Sequence, residues 1–352
     1  MSNDSALDAR ADAIHERYRG GFVGRSRATR DIGLLDSIIA DAEALASTVA
    51  ADGGRAMLDE NLALYRAERA EIAAIRAAGP DALAAWRLAE WSEVTYLRYL
   101  RAFAGQSRQT RDDALLGEMT DLQRGWVAAM KSLTASVTEP RIAAQVSRAA
   151  EHLATYETER AEIPLARGAL PPGERARVLA TLANGQFALY KVHFAGKART
   201  SRRPGLMRRM ITALEGIHAG METTRSLGVV TEVHTKNLAL VADRLGHHRG
   251  ELMAIDAARG GAAATRVAGL LGEEANAAIA EYRAEFAGQS RATRDLAKLN
   301  AVCDQLQEIA HAMRELDAER PTPANTKNLG VVFEHLKVAE REFGAIREAK
   351  KQ

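Results

Sequence analysis

Two arginines three residues apart recur four times in this sequence: Arg27 and Arg30, Arg108 and Arg111, Arg199 and Arg202, Arg291 and Arg294. Residues at i and i+3 are neighbours on a helix, so each pair presents two planar, permanently charged forks side by side. Such forks hold carboxylates or phosphates through paired N–H donors. Two chemistries follow, beside the plain reading of solvated surface charge. The arginines either pair with glutamates of a neighbouring helix, where Glu71, Glu162, Glu251 and Glu342 recur, or form a periodic anion site.

Each pair closes a longer motif, read as YRGGFVGRSRATRD from Tyr18, YLRAFAGQSRQTRD from Tyr99, YKVHFAGKARTSRR from Tyr190 and YRAEFAGQSRATRD from Tyr282. Its aromatic members are Tyr18 and Phe22, Tyr99 and Phe103, Tyr190 and Phe194, Tyr282 and Phe286. Aromatic residues at i and i+4 share a helix face, and here they are expected to pack the junctions between repeats. The small residues at six and eight positions after each tyrosine allow a second helix to approach closely.

Other chemistry is sparse. His247 and His248 stand one turn from Glu251, a spacing a metal could use, but no second cluster completes it and the pair reads as a surface feature. No phosphate loop, Gly-x-Ser-x-Gly elbow or catalytic Cys/His spacing is found. No recurring Glu-x-x-His pattern of a di-iron bundle is present either. The single cysteine, Cys303, permits neither an internal disulfide nor a cysteine-based metal site. No catalytic residue and no cofactor is expected.

Composition sets the frame. Of 352 residues 47% are hydrophobic, enough to bury a core, while aromatics are only 5% and Ala, Arg, Leu and Glu dominate. That is a helix-forming mixture. A net charge of +2 excludes bulk attraction to nucleic acid, though local basic patches remain possible. The polar N-terminus lacks a signal-peptide core, and no window is apolar for 18 residues, so a cytoplasmic chain without a membrane span is expected.

The motif glycines Gly24, Gly105, Gly196 and Gly288 lie 81, 91 and 92 residues apart. Breakers keep the same clock: Ala78-Gly79-Pro80, Gly168 to Gly173 and Gly260-Gly261 form one set. Asp52-Gly53-Gly54, Thr138-Glu139-Pro140, Leu227 to Thr231 and Arg320 to Pro323 form the other. Between them long segments (5–50, 81–137, 173–226, 263–318) alternate with short ones (56–78, 141–167, 232–259, 323–349). Leucines eleven residues before each motif tyrosine, phenylalanines four after it, and Leu35, Leu116, Met207 and Leu299 seventeen after it fall on one stripe. The unbroken phase predicts that each long segment is one continuous helix running through the motif glycine.

With short connections, each level then holds the end of one long helix, a short helix and the start of the next long helix. This layout resembles that of spectrin repeats, and the resemblance implies a rod of three-helix bundles sharing continuous helices. The expected fold is therefore all-α, a tandem array with a period of about 91 residues. Its divisions are 1–54 (a half-repeat plus first helix), 55–137, 138–229 and 230–318 (three repeats), and 319–352 (a closing helix at an open two-helix end). Leu7, Ile14, Tyr18 and Phe22 at one end are expected to lack a local partner. So are Leu299, Leu306, Ile309, Leu329, Val332, Phe333 and Leu336 at the other. Complementary incomplete bundles would join head to tail. The functional expectation is a non-catalytic scaffold or filament former whose partner is itself. An anion- or nucleic-acid-binding module using the four arginine pairs is the alternative, and a helical sensor-type ligand-binding domain is the third.

Overall fold

The computed structural model describes residues 3–22, 25–48, 53–286 and 289–350. Among them the regular structure is helical throughout. The twelve α-helices are α1 (Asn3–Phe22), α2 (Ile32–Ala46), α3 (Gly53–Ala77), α4 (Pro80–Phe103), α5 (Asp113–Leu133) and α6 (Pro140–Gly168). They continue with α7 (Pro172–His193), α8 (Pro204–Ser226), α9 (Glu232–Gly261), α10 (Ala264–Phe286), α11 (Leu296–Glu319) and α12 (Pro323–Ala349). Short 3-10 turns occupy Arg108–Thr110 and Arg291–Thr293. The described breakers lie where helices end: Gly79 separates α3 from α4, Gly168 to Gly173 separates α6 from α7, and Gly228 separates α8 from α9.

The expectation of continuous long helices is overturned at every motif. Helices stop at Phe22, Phe103, His193 and Phe286, and the next ones begin at Ile32, Asp113, Pro204 and Leu296. Gly105 and Gly196 take φ of +83° and +76°, a left-handed conformation that L side chains adopt only with strain. An aspartate then starts the following helix in three copies. Asp31 accepts from the Leu34 N–H, Asp112 from Ala114 and Leu115, and Asp295 from Ala297 and Lys298. An N-cap of this type stabilises a helix start by about 1 kcal/mol. Hydrophobic phase survives the motif because both flanking helices turn the same stripe toward one core. Phase reports which face is buried; it does not report whether the chain between two faces is helical.

Two compact units divide the chain, residues 1–93 with 124–151, and residues 94–123 with 152–352. In the first unit α1, α2 and α3 share a core in which Phe22, Leu35, Ile38, Tyr65 and Ile72 are buried. In the second unit α7, α8 and α9 enclose Phe194, Met207, Met210, Val241 and Ile255. There too α10, α11 and α12 pack on one another, and Phe103, Leu116, Met119, Tyr156 and Ile163 form a further cluster. Helices on either side of a motif thus meet the same third helix, whereas the expected grouping assigned them to different levels.

The stripes expected to lie open at the two ends are also covered. Ile14, Tyr18 and Phe22 are buried in the α1–α3 core, with Leu7 half-buried against it. Leu299, Leu306, Ile309, Val332, Phe333 and Leu336 are buried, and Leu329 is half-buried. Breaking the long helix at the motif is the physical reason. It folds α1 back onto α2 and α3 and places α10 against α11 and α12.

Candidate functional site

The motif arginines close a clamp onto a following helix, α3, α6, α9 or α12 in turn. Arg30 pairs with Glu68, Arg111 with Glu159, Arg202 with Glu251 and Arg294 with Glu342. In every copy the same arginine also donates to a motif carbonyl five residues earlier: Arg25, Gln106, Lys197 and Gln289 at 3.2, 3.3, 3.0 and 3.2 Å from Nε. The guanidinium groups of Arg30 and Arg111 each lie 5.9 Å from the ring centroids of Phe22 and Phe103. These second arginines are nearly buried, with side-chain exposures of 8 to 13%.

The first arginine of each pair is more exposed and takes a second grip. Arg27 reaches Glu71 at 3.1 Å, and Arg108 reaches Glu162 at 2.8 Å and Glu159 at 3.3 Å. Arg199 sets Nε and Nη2 against the two oxygens of Glu251, both at 3.1 Å, and Arg291 reaches Glu342 at 2.9 Å. Hydrogen bonds from Arg199, with the charge of Arg202, outweigh desolvation and hold the Glu251 carboxyl below its ordinary range. Of the four glutamates singled out by sequence, Glu251 and Glu342 occupy the central position. In the first two copies that position belongs to Glu68 and Glu159, one helical turn earlier.

A third contact was not legible in the sequence. Near the end of the clamped helix Arg76 donates to the carbonyl of Arg30, Arg167 to those of Gln109 and Arg111, and Arg259 to that of Arg202. Lys350 does the same to Arg294 at 3.0 Å. The only signal was a basic residue recurring 91, 92 and 91 residues apart, a spacing that the motif itself, at 81, 91 and 92, does not share in its first interval.

The aromatic members lie where the clamp closes. Phe22, Phe103, Phe194 and Phe286 are almost fully buried. Tyr18 lies tilted against Tyr65 at 4.5 Å, Tyr99 against Tyr156 at 5.1 Å and Tyr190 against His248 at 5.0 Å between centroids; Tyr282 lies 5.6 Å from Phe286. His248 is buried rather than a surface residue, and its neighbour His247 approaches the Tyr190 hydroxyl at 3.3 Å. Glu251 is engaged by two arginines, so the three residues of the suggested metal spacing do not converge. Among the described residues no group of three His, Cys, Asp or Glu side chains gathers to hold a metal. No helix there is long and apolar enough to cross a membrane.

A buried ionic network also escaped sequence reasoning. Arg203 pairs with Glu118, Glu308 and Glu315; Arg209 pairs with Glu118 and Glu308; Arg98 pairs with Glu308 at 2.7 Å. Burial alone would raise both the Glu118 and Glu308 carboxyls, but the arginine charges hold them well below the usual carboxylate range. The one available signal was Arg203 itself, standing where the other copies have a capping aspartate. Beside this network a cleft of about 630 Å3 opens between α5, α6 and α8.

Neither a protein-family model, nor a curated protein, nor a solved structure matches this chain.

Proposed function

We propose that this chain is a non-catalytic helical scaffold made of four tandem copies of one three-helix unit, each locked by its own arginine clamp. One observation carries the reading: in all four copies both motif arginines are engaged by carboxylates from the third helix of that copy. A fork already occupied by a carboxylate and a carbonyl has few donors left for a phosphate backbone. The recurring residues therefore serve to hold three helices in register. A scaffold needs that property, because partners are positioned only as well as the elements that carry them.

The scaffold and anion-ladder readings diverge on one variant. In the scaffold reading, changing Arg108 and Arg111 together to Gln lowers the melting temperature of the full chain and leaves retention on heparin or polyphosphate unchanged. An unchanged melting temperature with lost, salt-sensitive retention would replace the scaffold by an anion-binding module.

A further inference from the structure

The cleft between α5, α6 and α8 departs from the four-copy pattern in a way that points to a ligand. Eighteen residues after the motif tyrosine stand Asp36, Gly117, Arg208 and Asn300. In the first copy Asp36 forms a two-pronged pair with Arg69. The second copy keeps the arginine, as Arg160, but replaces its carboxylate with Gly117. The Arg160 guanidinium lies over that glycine, its Cζ 3.5 Å from where a Cβ would stand. Its remaining carboxylate, Asp121, is 3.8 Å away. The third copy places a cation, Arg208, at the same position, loosely held by Asp256 at 3.3 Å. Arg160 and Arg208 line the same cleft and are 49% and 57% exposed.

Two more departures fall on the same wall. Pro164 sits inside α6, and lacking an N–H it leaves the Arg160 carbonyl without its helical donor. Arg203 replaces the capping aspartate, and beside it the buried Nε of Arg209 has no acceptor. Glu118 neutralises much of the charge of these two arginines, so Arg160 and Arg208 are the cations free to exchange partners. Ala114, Leu122 and Ala213 supply apolar wall, and the volume suits a small organic molecule.

We propose that this cleft binds a small organic anion, its phosphate or carboxylate group held between Arg160 and Arg208 and its apolar body against the α5 and α8 wall. The site is separate from the motif clamps and does not depend on the scaffold reading. Isothermal titration of the full chain with phenyl phosphate, inorganic phosphate and phenol tests it. Saturable binding of phenyl phosphate at one site per chain is expected, with Arg160→Gln and Arg208→Gln each weakening it at least tenfold. Gly117→Asp, which restores the carboxylate of the first copy, should abolish binding without lowering the thermal melt, since the added side chain meets only the Arg160 guanidinium. Equal affinity for inorganic phosphate would support the anchor and make free phosphate the ligand. Absence of saturable binding to either phosphate overturns the site. So does equal binding of phenol, or binding that survives Gly117→Asp and both arginine changes.

Discussion

Arg101 of α4 sets its Nε and Nη2 against the two carboxylate oxygens of Glu340 of α12, both at 3.0 Å, although 239 residues separate them. The same guanidinium reaches Asn300 at 2.7 Å and Asp304 at 2.8 Å. Arg101 and Glu340 are buried, with side-chain exposures of 3% and 0%. Burial alone would ease the proton off Arg101, yet Glu340 and Asp304 hold it charged. Breaking a buried pair strands a charge, so Glu340→Ala should cost roughly 3–5 kcal/mol, whereas replacing both residues with leucine should cost much less. Thermal melts of the two variants make the comparison.

The ionic network around Glu308 should behave similarly, with a pH signature. Glu308→Gln leaves Arg98, Arg203 and Arg209 with one carboxylate fewer, and a loss of roughly 3–5 kcal/mol is expected. The folded values of Glu118 and Glu308 lie below their unfolded ones, so their contribution is complete above the ordinary carboxylate value of 4.5. It is lost as pH falls through the depressed folded values. Melts taken below about pH 4.5 should steepen in their decline for the native chain and flatten for the variant.

His248 supplies a second pH dependence, at milder acidity. Burial, then the charges of His247 and Arg244, push it down to about 4 from an ordinary value of 6.5. Between those values the unfolded chain binds the extra proton, so stability falls as pH drops from 6.5 towards 4. The first two copies carry Tyr65 and Tyr156 at the matching place, beside their own motif tyrosines. His248→Tyr should therefore shrink the difference in melting temperature between about pH 7.5 and about pH 5.

Removing residues 1–22 tests the packing of α1. The deletion strips Ile14, Tyr18 and Phe22 from a shared core and uncovers Leu35 and Tyr65. At about 1.5–3 kcal/mol per large side chain, α2 and α3 should lose cooperative unfolding. The intact chain should sediment at a constant rate over a wide concentration range, since this face is already covered. A rate that rises with concentration in the intact chain and not in the deletion would instead support head-to-tail assembly through α1.

The all-helical character, the fourfold motif and the arginines of the clamp follow from the sequence alone, because each is a local or periodic property. Helix propensity sums along a segment, and the core positions at Phe22, Phe103, Phe194 and Phe286 announce themselves by spacing. In three of the four copies a helix start was also signalled, by Asp31, Asp112 and Asp295 ahead of the following apolar run, but the continuous hydrophobic stripe pointed the other way. Tertiary structure alone decided that the chain turns at each motif, which glutamate each arginine meets, and that His248 lies buried. It alone brought Arg101 to Glu340 and Arg203 to three carboxylates. Those pairings join residues 85 to 239 positions apart, and no periodicity encodes them. They exist only because helices from different copies close on one interior, where an unpaired charge costs several kcal/mol and geometry selects its partner.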